Sequence, residues 1–387
     1  KLMKGMIAKG YEPDFAQRCF KQLEGFGEYG FPESHAASFA LIVYVSCWLK
    51  HYYPDVFAAA ILNAQPMGFY APAQLVRDAR QHGVEVRPPD INHSDWDCTL
   101  EPAKSGPHFA LRLGLRQIKG LREPAAARLI AARNEGGSFT SVPDLARRSR
   151  LDRGTMDRLA NADAFGSIAL GRRQAGWTAL AQAGKPLPLF EHADEYGHEA
   201  ATALPQMSAG EEVAQDYKTL RLSLKAHPMS FFRAELEESG HVCAGQLGDM
   251  RDGRWVSLAG LVLVRQRPGS ASGVIFATLE DESGVANIIV WPKCFERHRK
   301  IVMRSKLMAV TGRLQKEGEV IHIIASRITD QSWRLAALAD GEEFSEALAH
   351  ADEIARPQDD PRLIAIYRRV MQGERLEDVL PKSRDFH

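Results

Sequence analysis

Residues Gly25 to Asn63 read GFGEYGFPESHAASFALIVYVSCWLKHYYPDVFAAAILN, and local signals divide that stretch into a loop and two helices. Gly25, Gly27 and Gly30 permit turns that a Cβ resists. Pro32 fixes the backbone ahead of Ser34, a residue type that caps helix N-termini. An unbroken apolar run from Phe39 to Val45 follows, and Cys47, Trp48 and Leu49 extend it past Ser46. A helix apolar on every side is expected to pack inside protein; this one is too short to span a bilayer, and Lys50 and His51 close it. Pro54 ends it and admits a second helix over Asp55 to Asn63. The free N–H groups beside Ser34 and His35 form a cradle suited to a phosphate. On these residues alone, Ser34 as a cap and His35 as a core histidine is the simpler reading.

Around this block lies a chain of 387 residues, enough for roughly two to three domains, with 45% hydrophobic residues and 49 basic against 49 acidic side chains. The neutral total hides an asymmetry. Arg112 to Arg173 carries 13 Lys/Arg against 6 Asp/Glu, whereas Asp340 to Asp360 carries 8 acidic residues against Arg356 alone. A basic module and an acidic tail cancel. Cys19, Cys47, Cys98, Cys243 and Cys294 show no CxxC spacing, which excludes a zinc ribbon and a disulfide framework and predicts reduced thiols in the cytoplasm. No signal peptide or membrane span is legible. The sequence opens at Lys1 within structured-looking sequence, the expectation for a C-terminal fragment.

The predicted fold class is multidomain α+β, in six parts. Residues 1–66 form a helical block, and 67–111 a connecting segment with a helix at Pro72 to His82 and the breaker Pro88-Pro89. Residues 112–177 form a tandem helix-hairpin-helix domain. There Ile118-Lys119-Gly120-Leu121 turns between a short helix and the helix Pro124 to Asn134, the glycine admitting a DNA backbone and the N–H groups holding a phosphate. Arg116, Lys119 and Arg122 add charge, and the second unit lacks a clear hairpin glycine. Residues 178–225 read as a poorly patterned linker. Residues 226–331 hold five β-rich runs (Trp255 to Val264, Val274 to Asp281, Ala286 to Val290, Lys306 to Leu314, Glu319 to Arg327) with a helix at Pro292 to Val302 between the third and fourth, the layout of a five-stranded OB-fold barrel. Arg265, Arg267, Phe276, Trp291 and Lys293 are candidate single-strand contacts, with core packing the simpler reading for the two aromatics. Residues 332–387 form an acidic tail, mostly helical or disordered, with a helix near Arg362 to Met371.

The wording FPESHAASFALIVY, Phe31 to Tyr44, resembles the end of the fingers region in the bacterial C-family replicative polymerases, the DNA polymerase III alpha subunits. It is most similar to their error-prone, ImuC-like branch. The resemblance implies that Ser34 and His35 lie near the incoming nucleotide, although Glu33 stands where replicative relatives carry a lysine. Pro88-Pro89-Asp90-x-Asn92 is family-like, and the ending Pro-Lys-Ser-Arg-Asp-Phe-His is typical of the error-prone branch. The implied function is the DNA- and partner-binding part of an error-prone DNA-directed DNA polymerase active in damage-induced mutagenesis and translesion synthesis. The full enzyme would use Mg2+ held by palm carboxylates. No paired-Asp palm motif is present here, so the chain is expected to bind no metal and to be inactive alone. Leu187, Leu189 and Phe190 resemble a sliding-clamp-binding peptide, but Pro186 replaces its glutamine, which predicts weak or no clamp binding. An ImuB-like Y-family relative is the implied partner of the tail. The rival readings are a non-enzymatic helix-hairpin-helix and OB adaptor, and an OB-containing tRNA-binding protein.

Overall fold

The computed structural model describes residues 2–29, 33–66, 70–181, 204–268 and 273–338. The clamp-like peptide and the acidic tail lie outside them. Helices α1 (Leu2–Ala8), α2 (Pro13–Tyr29), α3 (Glu33–Tyr52), α4 (Pro54–Asn63) and α5 (Pro72–Gln81) open the chain. Pro sits in the first turn of both α4 and α5, where its missing N–H breaks no bond. Strands β1 (Val86–Arg87), β2 (Thr99–Glu101) and β3 (Ala110–Arg112) form a small sheet in the order β1-β3-β2. Helices α6 (Glu123–Gly136), α7 (Val142–Ser149), α8 (Arg153–Asn161) and α9 (Arg172–Ala181) pack on it. One apolar core, from Ala58 in α4 through Leu113, Leu129, Leu145, Leu159 and Phe165 to Leu222, unites α4 to α9 with the small sheet.

The strand half follows the alternation of its sequence. Strands β5 (Trp255–Gln266), β6 (Ile275–Glu280), β7 (Val285–Val290), β8 (Leu307–Glu317) and β9 (Val320–Asp330) run around the barrel in the order β5-β6-β7-β9-β8, with β7 and β9 parallel, and β5–β8 pairing closes it. A short strand β4 (His241–Val242) adds to β5 in parallel. Leu258, Ile275, Leu279, Ile288, Val310 and Ile323 point inward. Helix α12 (Pro292–Arg304) lies between β7 and β8, where the sequence places it, and contributes Phe295 and Val302 to that core. Closure forces two close backbone approaches. A Cβ on Gly260 would stand 2.8 Å from the Glu280 carbonyl oxygen, and one on Gly312, where the β8–β9 register skips Ser326 of β9, would overlap the Ile324 carbonyl.

Two expectations are corrected. The stretch read as a poorly patterned linker contains α10 (Ala209–Leu220), started by a capping box in which Ser208 accepts from the Glu211 N–H and Glu211 accepts from the Ser208 N–H. With α11 (Arg233–Glu238) and α13 (Trp333–Leu338), α10 forms a third apolar cluster, where Tyr217, Met229, Phe232 and Leu335 cover Ala259 and Leu261 of β5. The other face of α10 meets the helical half: buried Arg172 of α9 pairs with Asp216 and, at 2.8 Å, with Glu212. Lys225 reaches Asp163 at 2.7 Å. Burial pushes the Asp216 carboxyl up, against the pull of Arg172. Arg77 of α5 also pairs with the buried Glu280 at the end of β6. The linker segment thus supplies the joint between the two halves.

The second correction concerns α3. Expected inside protein, it leaves Leu41 64% and Tyr44 70% exposed, with Phe39, Ile42 and Val43 also open. At its C-terminal end Trp48 lies against Tyr52 and Tyr53 and Lys50 pairs with Asp78 at 2.8 Å. Among the described residues this leaves an apolar helix exposed, a surface suited to cover by other protein.

Candidate nucleic-acid interface

The first hairpin is built from two anchors and a glycine. A single helical turn, Leu115–Gln117, leads into Ile118, which is buried, and Leu121 is buried on the far side of the turn. The Leu121 N–H donates to the Ile118 carbonyl at 3.1 Å, and Gly120 between them takes φ +75°. Lys119, Gly120 and Arg122 are exposed on the outer face. The Lys119 N–H is not turned outward: it donates to the Thr219 carbonyl of α10 at 2.8 Å. Of the hairpin N–H groups, those of Gly120 and Arg122 are suited to a phosphate, together with that of Glu123 at the start of α6, since Pro124 has no N–H and Ala125 and Ala126 donate to the Arg122 carbonyl.

A second turn of the same design follows, though its sequence lacks the glycine. After α7, Arg150 takes φ +49°, Leu151 follows, and Asp152 caps α8 by accepting the Thr155 N–H at 2.9 Å. Gly120-Leu121-Arg122 and Arg150-Leu151-Asp152 thus match position by position: left-handed residue, apolar anchor, N-cap. The Thr155 amide holds the Asp152 carboxyl below the usual carboxylate range. Arg158 of α8 joins the two turns. Its Nε lies 3.1 Å from where a Gly120 Cβ would stand, and its guanidinium end 3.2 Å from the same position on Gly154. Beside them, a cleft of about 150 Å³ is lined by Ile118, Lys119, Arg158, Asn161, Lys218 and Thr219 among others.

The remaining sequence candidates separate. Arg116 does not face out: its guanidinium donates to the carbonyls of Asn63 at 2.8 Å and Gln65 at 3.0 Å and pairs with Asp97 at 2.5 Å. It ties the C-terminal end of α4 to the hairpin. Asp90 and Asn92 of the Pro-Pro-Asp strip brace the same module: Asp90 accepts the Ser167 N–H at 2.8 Å, and Asn92 accepts the Phe139 N–H at 2.7 Å and donates to the Phe139 carbonyl. On the barrel, Arg265 is buried and donates to the Ser305 carbonyl, so it is a core tie. Phe276 lies on the outer face opposite Ile289, half-buried, and Trp291 is 52% exposed. Arg267 and Lys293 are exposed. Trp291 is therefore not a core residue, and half-buried Phe276 stands outside the barrel's buried cluster. Ser34 and His35 lie in the first turn of α3, which opens at Glu33, so Ser34 does not precede the helix; their side chains lie outside what the structure describes. Arg150, Arg153, Arg158 and Lys218 were missed, because nothing in their sequence shows which turn they face.

All five cysteines are free, and no helix among the described residues is long and apolar enough to cross a membrane. Among the described residues, no group of three or more His, Cys, Asp or Glu is placed to hold a metal ion. Residues 83–175 match a family described as a helix-hairpin-helix motif, and 256–331 one described as an OB-fold nucleic acid binding domain. The whole chain is 50% identical to "Error-prone DNA polymerase 1" of Rhizobium meliloti (strain 1021) and 49% identical to "Error-prone DNA polymerase" of Sinorhizobium medicae (strain WSM419), and spans 38% of the length of each. Over 92% of the chain it is 51% identical to "Error-prone DNA polymerase 2" of Rhizobium meliloti (strain 1021), spanning 33% of it. From its first helices to its last residues, the chain is similar to error-prone DNA polymerases, and it spans 38% of the length of those relatives.

Proposed function

We propose that the chain is the C-terminal, DNA-holding portion of an error-prone DNA-directed DNA polymerase acting at damaged template. The observation that carries this reading is the pair of matched left-handed turns bridged by Arg158, with Lys119, Arg122, Arg150 and Arg153 exposed around them. Two turns side by side can each take one phosphate of a duplex without reading base sequence. The duplex behind the primer end is the substrate this suits. The exposure of α3 among the described residues supports the same reading, because the remainder of a polymerase would cover it and set Ser34 and His35 near the nucleotide. The metal-binding palm belongs to that remainder, and the chain alone is inactive. The tail docks an ImuB-like relative, and clamp binding through Leu187, Leu189 and Phe190 is weak or absent, on sequence grounds given above. The polymerase would work in the cytoplasm.

Footprinting on a primer–template tests the assignment. Protection of the duplex behind the primer terminus supports it, and protection spread evenly over single strand and duplex argues against it. Template-dependent incorporation by the chain alone would refute the inactive-portion reading.

A further inference from the structure

The cleft beside the first hairpin is walled by three elements. The hairpin supplies Ile118 and Lys119, α8 supplies Arg158 and Asn161, and α10 supplies Gln215 and Lys218. Where hairpin and α10 meet, the Lys119 N–H donates to the Thr219 carbonyl at 2.8 Å. Gln215 and Lys218 stand three residues apart and share one side of α10. Tyr217 of the same helix packs on the barrel, and Asp216 pairs with Arg172. Helix α10 thus turns one face to each half of the chain and a third to this cleft.

The chemistry of the walls selects a ligand. Lys119, Arg158 and Lys218 are exposed, and among the described residues no carboxylate lines the cleft, so it favours an anion. The Gln215 Oε1 is buried and has no hydrogen-bond partner among the described residues. The oxygens of a DNA phosphate are acceptors, so a backbone alone would leave that amide oxygen unpaired. The ligand must bring an N–H as well as a charge. The cleft holds about 150 Å³, a space matched to one six-membered ring and not to two fused ones. Both DNA pyrimidines carry an N–H on the edge that pairs, the amino group of cytosine and the ring N3–H of thymine. We propose that the cleft takes one pyrimidine nucleotide, its ring edge donating to Gln215 and its phosphate held by Lys119, Arg158 and Lys218. Such a nucleotide is either free or unpaired within a DNA strand. The proposal goes beyond the duplex reading of the hairpins and stands or falls separately, because Gln215 takes no part in that reading.

The test uses the whole chain in two arms. In the first, equilibrium dialysis compares dTMP with dAMP, thymidine and inorganic phosphate, and dTMP should bind about tenfold tighter than each. In the second, a duplex with one unpaired central thymidine is compared with the same duplex carrying an unpaired adenine and with a fully paired one. The unpaired thymidine should again gain about tenfold. Gln215→Leu should abolish these preferences and leave paired-duplex affinity as it was. A preference in the first arm alone supports the site with free nucleotides as its source, and one in the second supports it with the strand as its source. No preference in either arm overturns the proposal, as does a preference that Gln215→Leu leaves intact. An equal loss on paired duplex places Gln215 in the joint and not on a ligand, and overturns it too. If Gln215→Leu does not fold, Lys218→Ala should narrow the gap between dTMP and thymidine, or between bulged and paired duplex, and its failure to do so is equally decisive.

Discussion

Gly120 and Arg150 occupy equivalent places in the two turns, so exchanging their chemistry should move stability in opposite directions. Both residues hold φ in the left-handed region, at +75° and +49°. A side chain there costs about 1–2 kcal/mol. Gly120→Ala incurs that strain and recovers about 0.4–1 kcal/mol from a stiffer unfolded chain. Its Cβ also stands 3.1 Å from Arg158 Nε, a flexible neighbour that can yield by a few tenths of an ångström. The net expectation is a loss of about 1 kcal/mol. Arg150→Gly relieves the strain and gives back the entropy, for a gain of about 0–1 kcal/mol. In thermal melts the difference between the two variants should be several degrees, since about 1 kcal/mol corresponds to roughly 2–4 °C at this size. Binding should not follow stability. Arg150→Gly, although no less stable, removes one cation and should flatten the salt dependence on duplex by about 0.9. If Gly120→Ala is as stable as the parent and Arg150→Gly is destabilising, the equivalence of the two turns is wrong.

Three further outcomes follow from the packing. His227, whose Nδ1 accepts the Met229 N–H at 3.2 Å at the joint between the halves, has its pKa lowered to about 4, chiefly by burial; Glu282 and Asp281 oppose the shift, and Arg77 and Arg233 reinforce it. A histidine kept neutral in the fold contributes stability that is present above about pH 6.5 and lost as pH falls toward about 4, at most about 3 kcal/mol; in urea unfolding, His227→Gln should remove that part of the pH dependence. Arg172→Leu leaves buried Asp216 with Lys225 at 3.9 Å as its remaining cation and should cost about 3 kcal/mol, read by chemical unfolding. Gly312→Ala drives a Cβ into the Ile324 backbone and should destabilise the barrel by about 3 kcal/mol, seen as earlier hydrogen exchange in β8 and β9.

The parts of this architecture that repeat a local rule were legible in the sequence. Strand alternation from Trp255 to Arg327 placed five strands and the intervening helix, and the observed ends differ by a few residues. The hairpin at Gly120 was legible because glycine is the residue a left-handed turn prefers. Its twin was hidden because Arg150 accepts the same backbone conformation, held by the flanking helices and not by its own preference. The Ser208-x-x-Glu211 box was present and would have revealed α10. Arg116 and Arg265 show the reverse limit: both look like phosphate contacts, yet carbonyls of Asn63, Gln65 and Ser305, remote in sequence, receive them. Apolarity identified α3 as a helix but could not say what covers it.

The most direct test of the account is binding of the whole chain to a fluorescent primer–template, single strand and plain duplex across a salt series, beside a Lys119→Glu, Gly120→Asp double variant. The account predicts steeply salt-dependent binding to the primer–template and duplex that collapses in the double variant, while single-strand binding through the barrel persists. Primer–template binding that is absent, or indifferent to the double variant, would contradict the claim that the paired turns hold DNA.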